Sequence, residues 1–141
     1  MKIRHTFLLL LAVVLVQLVA VSEVAHAQKM AGVETQSNNG LQIMLHLMPA
    51  EPKANADTKV LLMTADAKTK KAATVDKIDI KWTMVMESMQ HDIAADTLKA
   101  GSDGNYHGKI NFPMGGAYKA TVTTKYQGKD LKLTFTVNAK E

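Results

Sequence analysis

Residues 76–86 read DKIDIKWTMVM, and this stretch decides the class of fold that we predict. Apolar and polar residues alternate along it, and a period of two indicates a β-strand with one buried and one solvated face. The apolar face carries Ile78, Ile80, Trp82, Met84 and Met86. The opposite face carries Lys77, Asp79, Lys81 and Thr83. The segment therefore predicts a strand that covers one side of a core.

Six more segments with strand patterns surround this one, and turn signals such as Asp103-Gly104 and Gln127-Gly128 separate several of them. The segments are 41–48, 58–65, 91–99, 106–112, 117–126 and 130–137. Seven short strands predict an all-β, seven-stranded sandwich of the immunoglobulin-like or fibronectin-III-like kind. Such sandwiches commonly bury a Trp on their third strand, so we expect Trp82 in the core, and Tyr118 is a candidate for a tyrosine corner.

The N-terminal 27 residues have the pattern of a cleaved secretory signal peptide. Lys2 and Arg4 precede an apolar run, from Phe7 to Val21, that is shorter than the roughly 20 residues of a membrane-spanning helix. Ala25-His26-Ala27 matches the A-x-A cleavage rule. We therefore expect export to the periplasm or beyond, a signal peptide over 1–27, a flexible leader over 28–39 and one domain over 40–141, with no membrane span after cleavage.

Composition excludes several classes of function. The net charge is +4 over 141 residues, and no basic run alternates with aromatic residues, so we expect no nucleic-acid partner. The chain has no Cys, which excludes disulfides, thiolate catalysis and a blue-copper centre. No G-x-S-x-G or H-E-x-x-H motif occurs. We therefore expect a binding protein and not an enzyme.

The segment 84–91, MVMESMQH, is the candidate site. Met86, Met89 and His91 lie where the strand ends, and Met114 lies in a corner beside two glycines. Thioether and imidazole groups are soft ligands suited to Cu(I). If the strand end and the corner lie at one end of a sandwich, these four residues form a copper site. Met84 is a further candidate, although its position also fits a core residue.

A second group of candidates alternates with the leucines of the segment 41–48. Met44, His46 and Met48 project from the face opposite Leu41, Ile43, Leu45 and Leu47. Two interpretations remain open at this stage. The three residues are exposed together as ligands, or both faces of the strand are partly covered.

Short motifs in the second half of the chain resemble the YtkA-like / FixH-like domain family. They are M-E-S-M-Q-H over 86–91, G-x-Y over 104–106 and F-P-M-x-G-x-Y over 112–118. The resemblance covers residues 40–138, and Tyr118 stands where the family usually has a Trp. It implies a bacterial envelope β-sandwich, with some relatives associated with copper handling or cytochrome oxidase assembly. The motif falls on Met86, Met89, His91 and Met114.

We therefore predict an exported periplasmic protein that binds or delivers copper, with Cu(I) favoured, through a Met/His cluster. Its partners would be the metal ion and an envelope metal-transport or oxidase-assembly protein. The alternative is a non-catalytic immunoglobulin-like module that binds another envelope protein and no metal. In that case the Met side chains would form an adaptable apolar contact surface.

Overall fold

The computed structural model describes residues 32–141, and the predicted signal peptide lies outside this range. All the regular elements in the described range are β-strands: β1 (Val33–Asn38), β2 (Leu41–Met48), β3 (Asp57–Asp66), β4 (Ile78–Val85), β5 (Gln90–Leu98), β6 (Tyr106–Asn111), β7 (Gly116–Tyr126) and β8 (Lys129–Ala139). Over these same residues no helix has the length and apolar character needed to span a bilayer.

The strands form two antiparallel four-stranded sheets, which confirms the predicted all-β sandwich. The first sheet has the order β1-β2-β3-β6 and the second has the order β5-β4-β7-β8. The inner faces supply the core, since β2 buries Leu41, Ile43, Leu45 and Leu47 while β8 buries Leu131, Leu133, Phe135 and Val137. Trp82 is buried as predicted, and its ring packs edge-on against Phe112 with centroids 5.5 Å apart.

The sandwich has eight strands and not the predicted seven, because residues 33–38 of the predicted flexible leader, 28–39, form an additional strand. Val33–Asn38 pair along their whole length with β2, from Val33 opposite His46 to Asn38 opposite Leu41. Asn39 and Gly40 connect the two strands with φ angles of 46° and 85°. Positive φ at both central residues is the geometry of the tight hairpin turn that Asn-Gly favours.

A β-bulge interrupts the ladder between β4 and β5. Trp82 lies opposite Ala94, but Thr83 lies opposite Asp92, so Ile93 is the extra residue on β5. Beyond the bulge, Met84 pairs with His91 and Val85 pairs with Gln90. The bulge therefore sets which side chains of the β4–β5 hairpin share a face.

Two tyrosine hydroxyls fix the connections at opposite ends of the sandwich. Tyr118, at the start of β7, donates a hydrogen bond of 2.6 Å to the carbonyl oxygen of Met114, four residues upstream. This is the hydrogen bond of a tyrosine corner, as predicted. Tyr106 makes two bonds with Val75, donating to its carbonyl oxygen at 2.5 Å and accepting from its N–H at 2.8 Å.

Candidate metal site

Four Met side chains are the exposed large apolar side chains of residues 32–141. Met48 is 39 % exposed, Met86 37 %, Met89 55 % and Met114 49 %. All four lie at the same end of the sandwich, because β2 and β4 end there and the Phe112–Gly115 corner carries the chain there from β6 to β7. We call this end the Met pole. Large exposed apolar side chains grouped in one place mark an interaction or ligand site.

The β4–β5 hairpin places three of the predicted ligands on one face. The N–H of Met86 donates to the carbonyl oxygen of Met89 at 2.9 Å, and the N–H of Met89 donates back at 3.4 Å, so only Glu87 and Ser88 form the turn. Side chains directly opposite each other in an antiparallel ladder point to the same face. Met86 and Met89 therefore share a face, as do Met84 and His91 one alternation further along. His91 is exposed.

Met114 comes from the neighbouring corner, whose backbone is held in place. The Tyr118 hydroxyl binds the Met114 carbonyl, and Tyr118 lies opposite Met84 in the β4–β7 ladder. The next residue, Gly115, lies under the side chain of Glu141, since a Cβ at this position would be 2.6 Å from Glu141 Oε1. Gly116 has a φ of 142°, which favours glycine. The corner thus presents Met114 beside the hairpin with its backbone constrained.

Met84 belongs to the core that supports the Met pole. It is 9 % exposed, and a Cβ on Gly116 would lie 3.3 Å from its terminal methyl carbon. It lies below the exposed residues Met86 and Met89 on the same face of the hairpin. Of the two roles that the sequence allows for Met84, ligand or core residue, its position fits the core residue.

Charged groups occupy the other face of the hairpin. Lys81 Nζ lies 2.6 Å from Asp92 Oδ2, and Thr83 Oγ1 lies 3.2 Å from Asp92 Oδ1. The hydrogen bond from Lys81 lowers the pKa of Asp92 below its usual range, and the bond from Thr83 acts in the same direction. The Asp92 carboxylate is therefore held on the face away from His91. The face with Met86 and Met89 carries thioether and imidazole groups.

The three candidates on β2 differ in their exposure to solvent. Met44 and His46 are half-buried, whereas Met48 is exposed at the end of the strand opposite Lys59. Both faces of β2 are therefore partly covered at Met44 and His46, and the three residues are not exposed together. Met63 on β3 lies directly opposite Met44, a pairing that the sequence pattern did not reveal.

Harder ligands are not clustered in the described part of the chain. Within residues 32–141, no group of three or more His, Cys, Asp or Glu side chains is arranged to hold a metal ion. Any site built from these residues therefore depends on thioethers, with one imidazole, and such a donor set favours a soft monovalent ion over Ca²⁺, Mg²⁺ or Zn²⁺.

Comparison with known proteins identifies the family and supports the fold. A model of the family described as YtkA-like matches residues 35–123. A crystal structure of a DUF4426 family protein from Pseudomonas aeruginosa PAO1 superposes with a TM-score of 0.51 at 8 % sequence identity, covering 79 % of this chain and 97 % of that one. At this identity the likeness concerns the fold alone. No curated protein matches the chain.

Proposed function

This chain belongs to the YtkA-like family, and on that premise we propose that it is an exported protein of the cell envelope that binds Cu(I) at the Met pole and delivers it to a partner. The ligands are Met86, Met89, His91 and Met114. The observation that carries the proposal is the exposure of three Met side chains at one end of a Cys-free domain.

Three features of the scaffold hold the backbone of the proposed ligands. The reciprocal hydrogen bonds of the hairpin turn fix Met86 and Met89 opposite each other. The bulge puts His91 on their face, and the Tyr118 hydroxyl holds the backbone of Met114. The flexible Met side chains close the remaining gaps around the ion, since each has three rotatable bonds. When bound, Cu(I) would be held by neutral donors with its own positive charge retained.

Exposure of the ligands suits delivery better than storage. Met89 and Met114 are about half exposed, so an acceptor protein could reach the ion while it is still bound. Export fits the same role, because the N-terminal pattern predicts a cleaved signal peptide. The intact mass of the protein purified from the periplasm tests cleavage after Ala27.

The test is a Cu(I) titration against a competing chelator, without oxygen. The double variant Met89→Leu/His91→Ala should lower the affinity at least about tenfold, because loss of even a supporting group around a metal costs roughly 10–100-fold. His107→Ala is the matched control, since His107 is exposed too but is engaged by Asp103 at 2.8 Å, at the other end of the sandwich. Equal affinities of wild type and the double variant would contradict the assignment.

The alternative function predicts a different result in the titration and in a partner-capture experiment. If the Met pole binds another envelope protein, the wild-type protein takes up no Cu(I), and Met89→Ser weakens partner capture while Met89→Leu does not. An apolar contact surface needs size and flexibility, which Leu largely keeps, and it does not need a thioether.

A further inference from the structure

A second Met/His group lies on the outer face of the first sheet. Met44 on β2 is directly opposite Met63 on β3, and His46 lies two residues along β2 from Met44 on the same face. We call these three residues the face cluster. All three are half-buried, unlike the exposed ligands of the Met pole.

The register places the three side chains within reach of one ion. Directly opposite residues of an antiparallel pair have Cβ atoms about 4.5–5.5 Å apart, and diagonal neighbours are about 7–8 Å apart. Met44 and Met63 form a direct pair, and His46 is diagonal to Met63. Two unbranched side chains with three rotatable bonds each can turn their sulfur atoms toward the imidazole.

The neighbours of the face cluster favour a soft monovalent ion. Thr35 lies opposite Met44, and Val33 and Leu61 lie on either side of His46. None of these neighbours is a carboxylate. The Asp57 carboxylate, at the start of β3, is engaged by Lys109 at 3.2 Å and Asn111 at 3.3 Å. On the other side of β3, His107 lies opposite Leu61 and holds the Asp103 carboxylate at 2.8 Å. Both carboxylates are thus engaged by other side chains, and the three side chains of the face cluster offer the thioether and imidazole donors that Cu(I) or Ag(I) prefers.

We propose that Met44, Met63 and His46 form a second site for a soft monovalent metal ion, separate from the Met pole. Met48 is not part of it, although it continues the same face of β2. Met48 lies at the end of the strand opposite Lys59, whose ammonium group would repel a cation. The proposal does not depend on copper binding at the Met pole, because the two sites share no residue.

The experiment adds Ag(I), a soft and diamagnetic ion, to protein purified from cells that express the whole sequence with [methyl-¹³C]Met. We expect the methyl signals of Met44 and Met63 to move together, with the ring signals of His46, and to saturate at one equivalent for this site. Met63→Leu should remove the shift of Met44 and weaken this binding at least about tenfold. Static signals of Met44 and Met63 in the wild type would overturn the proposal without any variant.

Two controls separate this site from the Met pole. Met48→Leu, on the same face of the same strand, should leave the shifts of Met44 and Met63 unchanged. Met89→Leu/Met114→Leu should also leave them unchanged while it removes the response of the Met pole. Exchange of Met for Leu conserves volume, so these variants should fold. Loss of the Met44 shift in the Met89→Leu/Met114→Leu variant would overturn the separate site, whereas a response of the face cluster alone would contradict only copper binding at the Met pole.

Discussion

The two ends of the sandwich are both built from turns and loops but carry different side chains. At the Met pole, the β4–β5 turn and the Phe112–Gly115 corner expose Met side chains. At the opposite end, which we call the polar pole, lie the Asn39–Gly40 and Gln127–Gly128 turns and the loops 67–77 and 99–105. Within residues 32–141, no exposed large apolar side chain lies at the polar pole.

This difference indicates that the exposed Met residues are not a general property of the loops. At the polar pole, polar side chains form hydrogen bonds with the backbone of the loops. Asp66 Oδ1, for example, accepts from the N–H groups of Lys68 and Thr69 at 2.9 Å each. An end of the sandwich can therefore be formed without exposed Met side chains. The Met side chains at the other end therefore call for a functional explanation, and the following experiments test how independent the two ends are.

The largest effect is expected for Phe112→Ala, which removes the support below the Met pole. Phe112 is fully buried, and its ring centroid lies 4.6 Å from that of Tyr118 and 5.5 Å from that of Trp82. Truncation of a buried Phe typically costs about 3–5 kcal/mol of the free energy of unfolding. Urea unfolding measures it, with Met114→Leu in the same corner as the control, expected within about 0.5 kcal/mol. Equal stability of the two variants would contradict this account.

A medium effect is expected when the two tyrosine hydroxyls are removed separately. Tyr106→Phe leaves the N–H and the carbonyl of Val75 without their partner in a buried site, and each such group costs about 1–3 kcal/mol. Tyr118→Phe loses one bond, to the carbonyl of the exposed residue Met114, worth about 0.5–1.5 kcal/mol. Thermal or urea unfolding should therefore show the larger loss at the polar pole, and the reverse order would show that the corner at Met114 depends more on its hydroxyl than the geometry suggests.

The smallest effect concerns acid stability at the polar pole. Hydrogen bonds from the N–H groups of Thr69 and Lys68 lower the pKa of Asp66 below its ordinary value of 3.8. A lowered pKa in the folded state means that the contribution to stability is full above the unfolded pKa and is lost as pH falls through the folded pKa. Asp66→Asn should therefore lose less stability than wild type between pH 5 and acid conditions near pH 2 to 3. Parallel pH profiles for the two proteins would contradict this assignment.

Much of the fold could be predicted because apolar residues alternate with polar ones in most of the strands, although β5 shows this pattern only weakly. Leu41 to Leu47 and Leu131 to Val137 show it most clearly, and both runs bury their apolar residues as expected. β1 was missed because its sequence, VETQSN, has almost no apolar face, and an edge strand depends mainly on backbone hydrogen bonds. The signal that could have found it was the Asn39-Gly40 dipeptide, the strongest short-range indication of a hairpin.

The candidate sites were less predictable, since they depend on which strands become neighbours. The spacing of Met86, Met89 and His91 was visible in the sequence, because a two-residue turn joins them locally. The pairing of Met63 with Met44 was not, because it requires the register between β2 and β3. The position of Glu141 above Gly115 likewise depends on where β8 ends in space, and no pattern in the sequence reports it.

The bulge at Ile93 shifts the register of the β4–β5 ladder by one residue. Three residues of β4, from Thr83 to Val85, are matched by four residues of β5, from Gln90 to Ile93. If Ile93 were paired in a continuous ladder that runs on from Trp82 opposite Ala94, Asp92 would lie opposite Met84, and His91 would turn to the face that now carries Lys81. The bulge therefore places an imidazole and not a carboxylate beside the thioethers. The donor set of the Met pole thus depends on the register of the β4–β5 ladder as well as on its composition.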